Sequence, residues 1–301
     1  MDRIKNAALS ILLALFAAAL LCFPAEAADA ARRALALCLQ TVLPSLFPFF
    51  VLSSLLIASG AAEELSRALE PFMRPLFRLG GAGASALALG LAGGYPAGAR
   101  TAAELYREGA LSKEEAERLL AFCNNSGPGF ILGVCGGAVL RDARAGVYLY
   151  LVHVASAVLT GAVLRPRRAE RPARRRRGAQ AKPLAAAFPA AVRESFAAAW
   201  SVCGFVVIFA VAARFVTRLL PGGALLVGFL ELTNGVLALS AGRGGFVLCA
   251  VFLGWGSLSV HAQTLSVLDG TGLSARRYFL GKALQAAVSV PIALLAARWV
   301  Y

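Results

Sequence analysis

No Cys-x-x-Cys pair occurs in this sequence, and its two histidines, His153 and His261, stand far from any cysteine cluster. The spacings that hold metals are therefore missing, and no metal site is expected. The six cysteines (Cys22, Cys38, Cys123, Cys135, Cys203 and Cys249) fall inside apolar stretches, where a small apolar core residue is the ordinary role. No Gly-Lys-Ser/Thr follows the glycine-rich run at 93–98, which excludes a phosphate loop. Nucleophile–base pairs, carboxylates at a working spacing and cofactor fingerprints are also missing, so neither an enzyme nor a bound cofactor is expected. Missing too is the amphipathic patterning that a soluble fold of 301 residues would show.

What is present is apolar sequence in blocks. The hydrophobic fraction is 59%, against roughly 45–50% for an ordinary soluble domain, and mean hydropathy is +0.71. Stretches of about 20 residues are apolar on every face, the length needed to cross a hydrocarbon core of ~30 Å. The formal charge of +14 is concentrated, since 165–182 holds nine basic residues and one acid, Glu170, and so carries +8 of it. With no interleaved aromatics and no binding fold around it, this run reads as a solvated cytoplasmic loop near anionic lipid headgroups, and no nucleic acid is expected as a partner.

Along the chain, residues 1–27 join a basic start (Arg3, Lys5) to an apolar run from Ala7 to Leu21 and an Ala25-Glu26-Ala27. A secretory signal and an uncleaved first transmembrane helix both fit this pattern. The anchor is favoured because another span, 34–58, follows, and either form leaves the N-terminus in the cytoplasm. Pro44 and Pro48 each remove a backbone donor from that span and predict a kink or unwinding. Residues 61–78 predict an interfacial amphipathic helix interrupted by Pro71 and Pro75. Further spans are expected near 119–140, 146–164, 195–220, 224–240, 246–268 and 278–299. Placing Arg276, Arg277 and Lys282 on the cytoplasmic side requires 246–268 to dip in and return, and the same logic makes 80–100 a hairpin. At an offset of 162, Gly94 matches Gly256 and Leu111-Ser112 matches Leu273-Ser274, an echo of the internal repeats from which many transporters are built. The fold class is thus an all-α polytopic membrane protein. About 7–9 hydrophobic segments are expected, some re-entrant or broken, with a possible two-fold repeat.

Four stretches carry candidate chemistry. In Asn124-Asn125-Ser126-Gly127-Pro128-Gly129, amides and a hydroxyl stand beside helix-breaking residues within apolar flanks. Irregular backbone at membrane depth is tolerated only where protein or a wet cavity surrounds it; the alternative is a plain loop between short helices. In Gly93–Arg100, Gly94, Pro96 and Gly98 break or tighten the backbone, Tyr95 is polar-tipped, and Arg100 can snorkel or meet an anion. Small-residue helix packing is the rival reading there. Glu231 and Asn234, three apart, would share a helix face, and a carboxylate inside a span marks a site unless it merely reaches the headgroups. Ser257, Ser259, His261 and Gln263 alternate as in an extended segment, while Ser257, His261 and Thr264 would share a helical face; both arrangements line one side of a cavity.

In order, Leu43-Pro44-Ser45-Leu46-Phe47-Pro48-Phe49, Gly94-Tyr95-Pro96-Ala97-Gly98-Ala99-Arg100, Cys123-Asn124-Asn125-Ser126-Gly127-Pro128-Gly129-Phe130-Ile131-Leu132-Gly133 and Glu231-Leu232-Thr233-Asn234-Gly235 resemble the sporulation integral membrane proteins of the YlbJ type. That family contains the nucleoside-recognition or gate-type domain, and the resemblance spans nearly the whole chain; the arginine-rich linker departs from it. The resemblance implies a multi-pass membrane protein of spore-forming bacteria associated with the spore cortex. It does not fix a nucleoside as substrate, because fold-level kinship cannot name a ligand. The expected layout is an anchor over 1–33, a first gate-like half over 34–164, a basic cytoplasmic linker over 165–183 and a second gate-like half over 184–301. A small polar solute is expected at Tyr95, Arg100, Asn124, Asn125, Ser126, Gly127, Glu231, Asn234, Ser257, His261 and Gln263. Pro44, Pro48, Gly94, Pro96, Gly98, Pro128 and Gly129 would serve as backbone breaks. Other expected partners are the lipid bilayer, a second copy of the chain or other sporulation membrane proteins. A membrane scaffold that transports nothing is the competing expectation.

Overall fold

In a computed structural model of the chain, residues 2–166, 183–220 and 223–301 are described; the arginine-rich linker falls almost entirely on 167–182, outside them. Among the described residues all regular structure is helical. Helix α1 (Asp2–Cys22) gives way at Phe23 to α2 (Pro24–Leu37), with a bend of 99° between Ser10–Cys22 and Pro24–Val42. Helix α2 passes through a wide π-type turn, Cys38–Val42, into α3 (Leu43–Ala58). The turn widens just ahead of Pro44, and Pro48 lies within α3, so the expected disturbance of this span is a π-turn. Next come α4 (Ala61–Phe77), α5 (Ala82–Gly93), α6 (Ala97–Arg107), α7 (Lys113–Cys123), a π-helical segment Gly129–Leu140 and α8 (Ala143–Val163). The second half holds α9 (Leu184–Leu219), α10 (Ala224–Leu230), α11 (Leu232–Leu237), α12 (Arg243–Trp255), α13 (Leu258–Leu268) and α14 (Arg276–Val300).

Among the described residues, four stretches are long and apolar enough to cross a membrane: Ala143–Val163, Leu184–Leu219, Arg243–Leu268 and Arg276–Val300. Two bent pairs, α1 with α2 and α4 with α5, raise the number to six. That is fewer than the 7–9 segments expected, for identifiable reasons. The apolar stretch 224–240 is two short helices broken at Glu231, and Gly129–Leu140 is a single short helix. Over 243–268 the chain makes one broken span where a dip and return was expected. Helix α4 runs through Pro71 and Pro75 without interruption. Residues 80–100 do fold back, because α5 and α6 pack against each other across a turn at 94–96.

Packing follows small residues, as it does where lipid removes most of the hydrophobic drive between helices. A Cβ on Gly90 or Gly98 would overlap the carbonyl oxygen of Cys123, and one on Gly281 would overlap that of Ala121. Helices α5, α6 and α14 therefore close directly onto the backbone of α7. Helix α14 is inside-out: Tyr278, Gly281, Lys282, Gln285, Ser289, Ala293 and Ala297 are buried, while Leu280, Leu294, Leu295 and Trp299 are exposed. Apart from this core, α2 and α3 pack along α9 in smaller apolar clusters around Cys38, Cys203 and Phe50.

The offset of 162 now has structural content. Shifting α5, α6 and α7 by it gives 244–255, 259–269 and 275–285, which fall on α12, α13 and the start of α14. The same shift places α4 on α10–α11 and the 34–58 span on α9. Counterparts also pack together: α7 lies on α14, and α3 lies on α9.

Candidate functional site

Helices α5 and α12 end at the matched glycines, Gly94 (φ 84°) and Gly256 (φ 101°). Positive φ is open to glycine without a Cβ penalty, and each glycine closes its helix by donating its N–H to the carbonyl four residues back, Gly90 and Phe252. A third break is the extended stretch after α7, Asn124–Gly127, and a fourth lies at Glu231 between α10 and α11. These breaks face one another. A Cβ on Gly94 would stand 3.0 Å from the Gly127 nitrogen, and the Tyr95 hydroxyl donates to the Leu253 carbonyl in the last turn of α12 at 2.6 Å.

Broken helices free carbonyls and amides that lipid cannot satisfy. Here side chains take them up. Asn124 Oδ1 accepts from Ala99 N–H in the first turn of α6 (3.4 Å), while its Nδ2 donates to Thr264 Oγ1 (2.9 Å). Asn125 Nδ2 donates to the Phe122 carbonyl (2.7 Å), and its Oδ1 accepts from Gln285 Nε2 (2.9 Å). The Ser126 amide donates to His153 Nε2 on α8 at 3.0 Å, which places the neutral ring's proton on Nδ1. Lys282 on α14 is fully buried, and its ammonium donates to the Asn124 carbonyl (2.9 Å), Gln285 Oε1 (2.7 Å) and the Tyr95 hydroxyl (3.3 Å).

Beside this cluster lies a cavity of about 260 Å³. One wall comes from the α2–α3 turn and α9, including Thr41, Pro44, Pro48, Val202 and Val206. The opposite wall comes from three of the breaks (Gly94, Tyr95, Ser126, Gly127 and Glu231) together with Gly129, Thr233, Val260 and Gln263 from the helices that follow the breaks. Its volume falls just below the ~300–1,000 Å³ of pockets for drug-sized ligands. The lining is mostly apolar with a few polar groups, as in binding pockets generally.

Of the residues proposed from sequence, Tyr95, Ser126, Gly127, Glu231 and Gln263 line the cavity, as do four of those expected as backbone breaks: Gly94, which ends α5, and Pro44, Pro48 and Gly129, which lie within helices. Asn124 and Asn125 lie behind it in the bonded cluster. Pro96 and Pro128 flank the helix starts at Ala97 and Gly129, and Gly98 packs against Cys123. Glu231 does not share a helical face with Asn234. It is the N-cap of α11, accepting from Thr233 N–H (3.1 Å), Asn234 N–H (2.8 Å) and Asn234 Nδ2 (2.9 Å). Ser257 caps α13 through Val260 N–H (3.4 Å), so the helical reading of 257–264 holds from Leu258 onward. His261 Nδ1 lies 2.8 Å from the Tyr278 hydroxyl, and its ring meets Trp255 edge-on. Arg100 is outside the cavity, bonded to Glu104 (2.9 Å) and Ser54 (3.2 Å).

Sequence patterning alone misses His153, Tyr278, Lys282 and Gln285. Lys282 reads there as a cytoplasmic flanking charge; its complete burial removes that vote on topology. A signal does exist, because an ionisable residue six positions inside an apolar span is a site by default. Gln285, three residues on, shares its helical face.

A family model described as Gate, nucleoside recognition, matches residues 39–141. This stretch holds the first set of breaks, from the α2–α3 turn to the end of the π-helical segment. No solved structure matches the chain. The sporulation integral membrane protein YlbJ of Bacillus subtilis is 31% identical over 317 residues, which cover 90% of this chain and 78% of that protein. At that identity over nearly the whole chain, the protein belongs to the family of the sporulation integral membrane protein YlbJ.

Proposed function

We propose that this sporulation membrane protein binds a small polar solute in the cavity between its broken helices and passes it across the membrane. The observation that carries the reading is the cavity's position. Three interruptions of helical backbone, at Gly94, Gly127 and Glu231, are spent on one wall of one space, and such breaks persist at membrane depth where they line a cavity. Tyr95, Ser126, Glu231 and Gln263 give that wall its polar groups, while α3 and α9 supply an apolar face opposite. In this reading the chain comprises an anchor (1–33), two gate-like halves (34–164 and 184–301) and a basic linker (165–183). The N-terminus and linker face the cytoplasm, with the linker near anionic headgroups.

The test is to fill the cavity from its apolar side. In a spore-forming strain lacking its own copy, Val206→Phe should reach the membrane at the wild-type level by blot and still leave heat-sensitive spores. Leu151→Phe, on an exposed face of α8, should behave as wild type. Normal spores from the Val206 variant, at normal protein level, would sink the proposal. A scaffold that moves nothing is the second reading, and the observation in its favour is that Asn124, Asn125 and His261 bond within the protein, away from the cavity. Intact sporulation with the cavity filled would make it the better account.

A further inference from the structure

We propose that the Lys282 ammonium is a built-in cation, seated where a diffusible coupling ion would otherwise bind, so that the broken helices hold together without sodium or potassium. In transporters built from discontinuous helices, unwound carbonyls and the C-terminal ends of half-helices coordinate the coupling cation. Lys282 Nζ sits among groups of that kind. It bonds the carbonyl of Asn124, the C-cap of α7 (2.9 Å), and Gln285 Oε1 (2.7 Å). Through the Tyr95 hydroxyl (3.3 Å) it is linked to the Leu253 carbonyl near the C-terminus of α12 (2.6 Å). Both helix ends carry negative partial charge.

Two further features separate this lysine from an ordinary one. A lysine near a span end snorkels toward the headgroups, whereas Lys282 is 0% exposed and turned into the protein. Among the described residues it forms no ion pair, and the buried carboxylate of Glu231 is already engaged by Thr233 and Asn234. The charge is therefore balanced by carbonyl, amide and hydroxyl dipoles, the ligand set of an alkali cation. All three ammonium protons are used, so the position is filled by the chain itself.

The word coupling rests on the transport reading above, but the test needs no solute. Purified full-length protein is melted in sodium, potassium or choline chloride at equal ionic strength, and saturable binding of radioactive sodium is measured in parallel. The wild type should melt alike in all three salts and bind no sodium saturably. Lys282→Ala should melt lower in choline and regain Tm with sodium or methylammonium, small cations that fit the vacated space. Lys282→Met, which refills that space with apolar atoms, should not regain it. Sodium-dependent melting or saturable sodium binding by the wild type would overturn the proposal, as would a Lys282→Ala protein that no small cation restores. Should Lys282→Ala not accumulate, the wild-type measurements decide alone. Solute uptake driven by a sodium gradient would sink this inference and leave the transport reading standing; a failed cavity-filling test would do the reverse.

Discussion

Helices α7 and α14 are counterparts at the same offset, yet they end differently. Each begins beside a matched serine: Ser112 caps α7 in a capping box with Glu115, and Ser274 Oγ accepts from Arg276 N–H at the start of α14. From there α7 runs 11 residues to Cys123 and unwinds, while α14 continues for 25. Lys282 and Gln285 occupy the positions matching Leu120 and Cys123; Lys282 bonds the Asn124 carbonyl that unwinding of α7 sets free, and Gln285 bonds the side chain of Asn125 beside it. Helix α7 opens its backbone; α14 carries the side chain that satisfies it. The two helices complement each other, because neither the exposed carbonyl nor the buried cation is tolerable alone.

Making the first half resemble the second should do the most damage. Gly98 corresponds to Val260, and Gly98→Val would drive a side chain into the backbone of Cys123. Backbone cannot yield as a flexible side chain can, so we expect almost no folded protein in the membrane. Gly204→Ala, where a Cβ meets nothing within 4 Å, is the control that should accumulate normally. Making the second half resemble the first comes next: Lys282→Leu leaves the Asn124 carbonyl and Gln285 Oε1 without their donor. Each unsatisfied buried group costs about 1–3 kcal/mol, which should appear as a clearly lowered Tm in detergent, and an unchanged Tm would break the comparison. A smaller effect is expected where the halves touch through neutral amides. In a double-mutant cycle of Asn125→Ala and Gln285→Ala, the coupling should be about 1 kcal/mol, and additive losses would mean the 2.9 Å bond contributes little.

How much of this was legible in the sequence differs by element. Two of the four breaks were, because Gly94-Tyr95-Pro96 and Asn124–Gly129 interrupt apolar runs with residues that cannot continue a helix comfortably. The number of spans was not: 224–240 is mostly apolar around Glu231 and Asn234, and only the capping geometry of Glu231 shows that it is two helices. The same ambiguity misplaced Glu231, since i,i+3 spacing fits a helical face and an N-cap with its N3 residue equally well. Lys282 was hidden by its neighbours. Beside Arg276 and Arg277 it looks like part of a basic flank, and only the inward stripe through Gly281, Gln285, Ser289 and Ala293 shows which way it points. His153 gave no local sign, because its partner, the Ser126 amide, is 27 residues away.

The smallest expected effect tests the two matched breaks against each other. After Gly94 the chain proceeds through Tyr95 and Pro96, and neither residue has positive φ. After Gly256 the second half places Ser257 at φ 93°, ψ 161°, a region nearly restricted to glycine. Holding a serine there costs of order 1–3 kcal/mol, offset in part by its cap on Val260 N–H, a long bond at 3.4 Å. Replacing an N-cap serine by glycine costs only a few tenths of a kcal/mol, so relief of strain should exceed loss of the cap. Ser257→Gly is therefore expected to raise Tm slightly in thermal melts of the purified protein. A lowered Tm would mean that the hydroxyl holds the second break as firmly as the buried cluster holds the first, and the contrast between the halves would narrow to Lys282 and its acceptors.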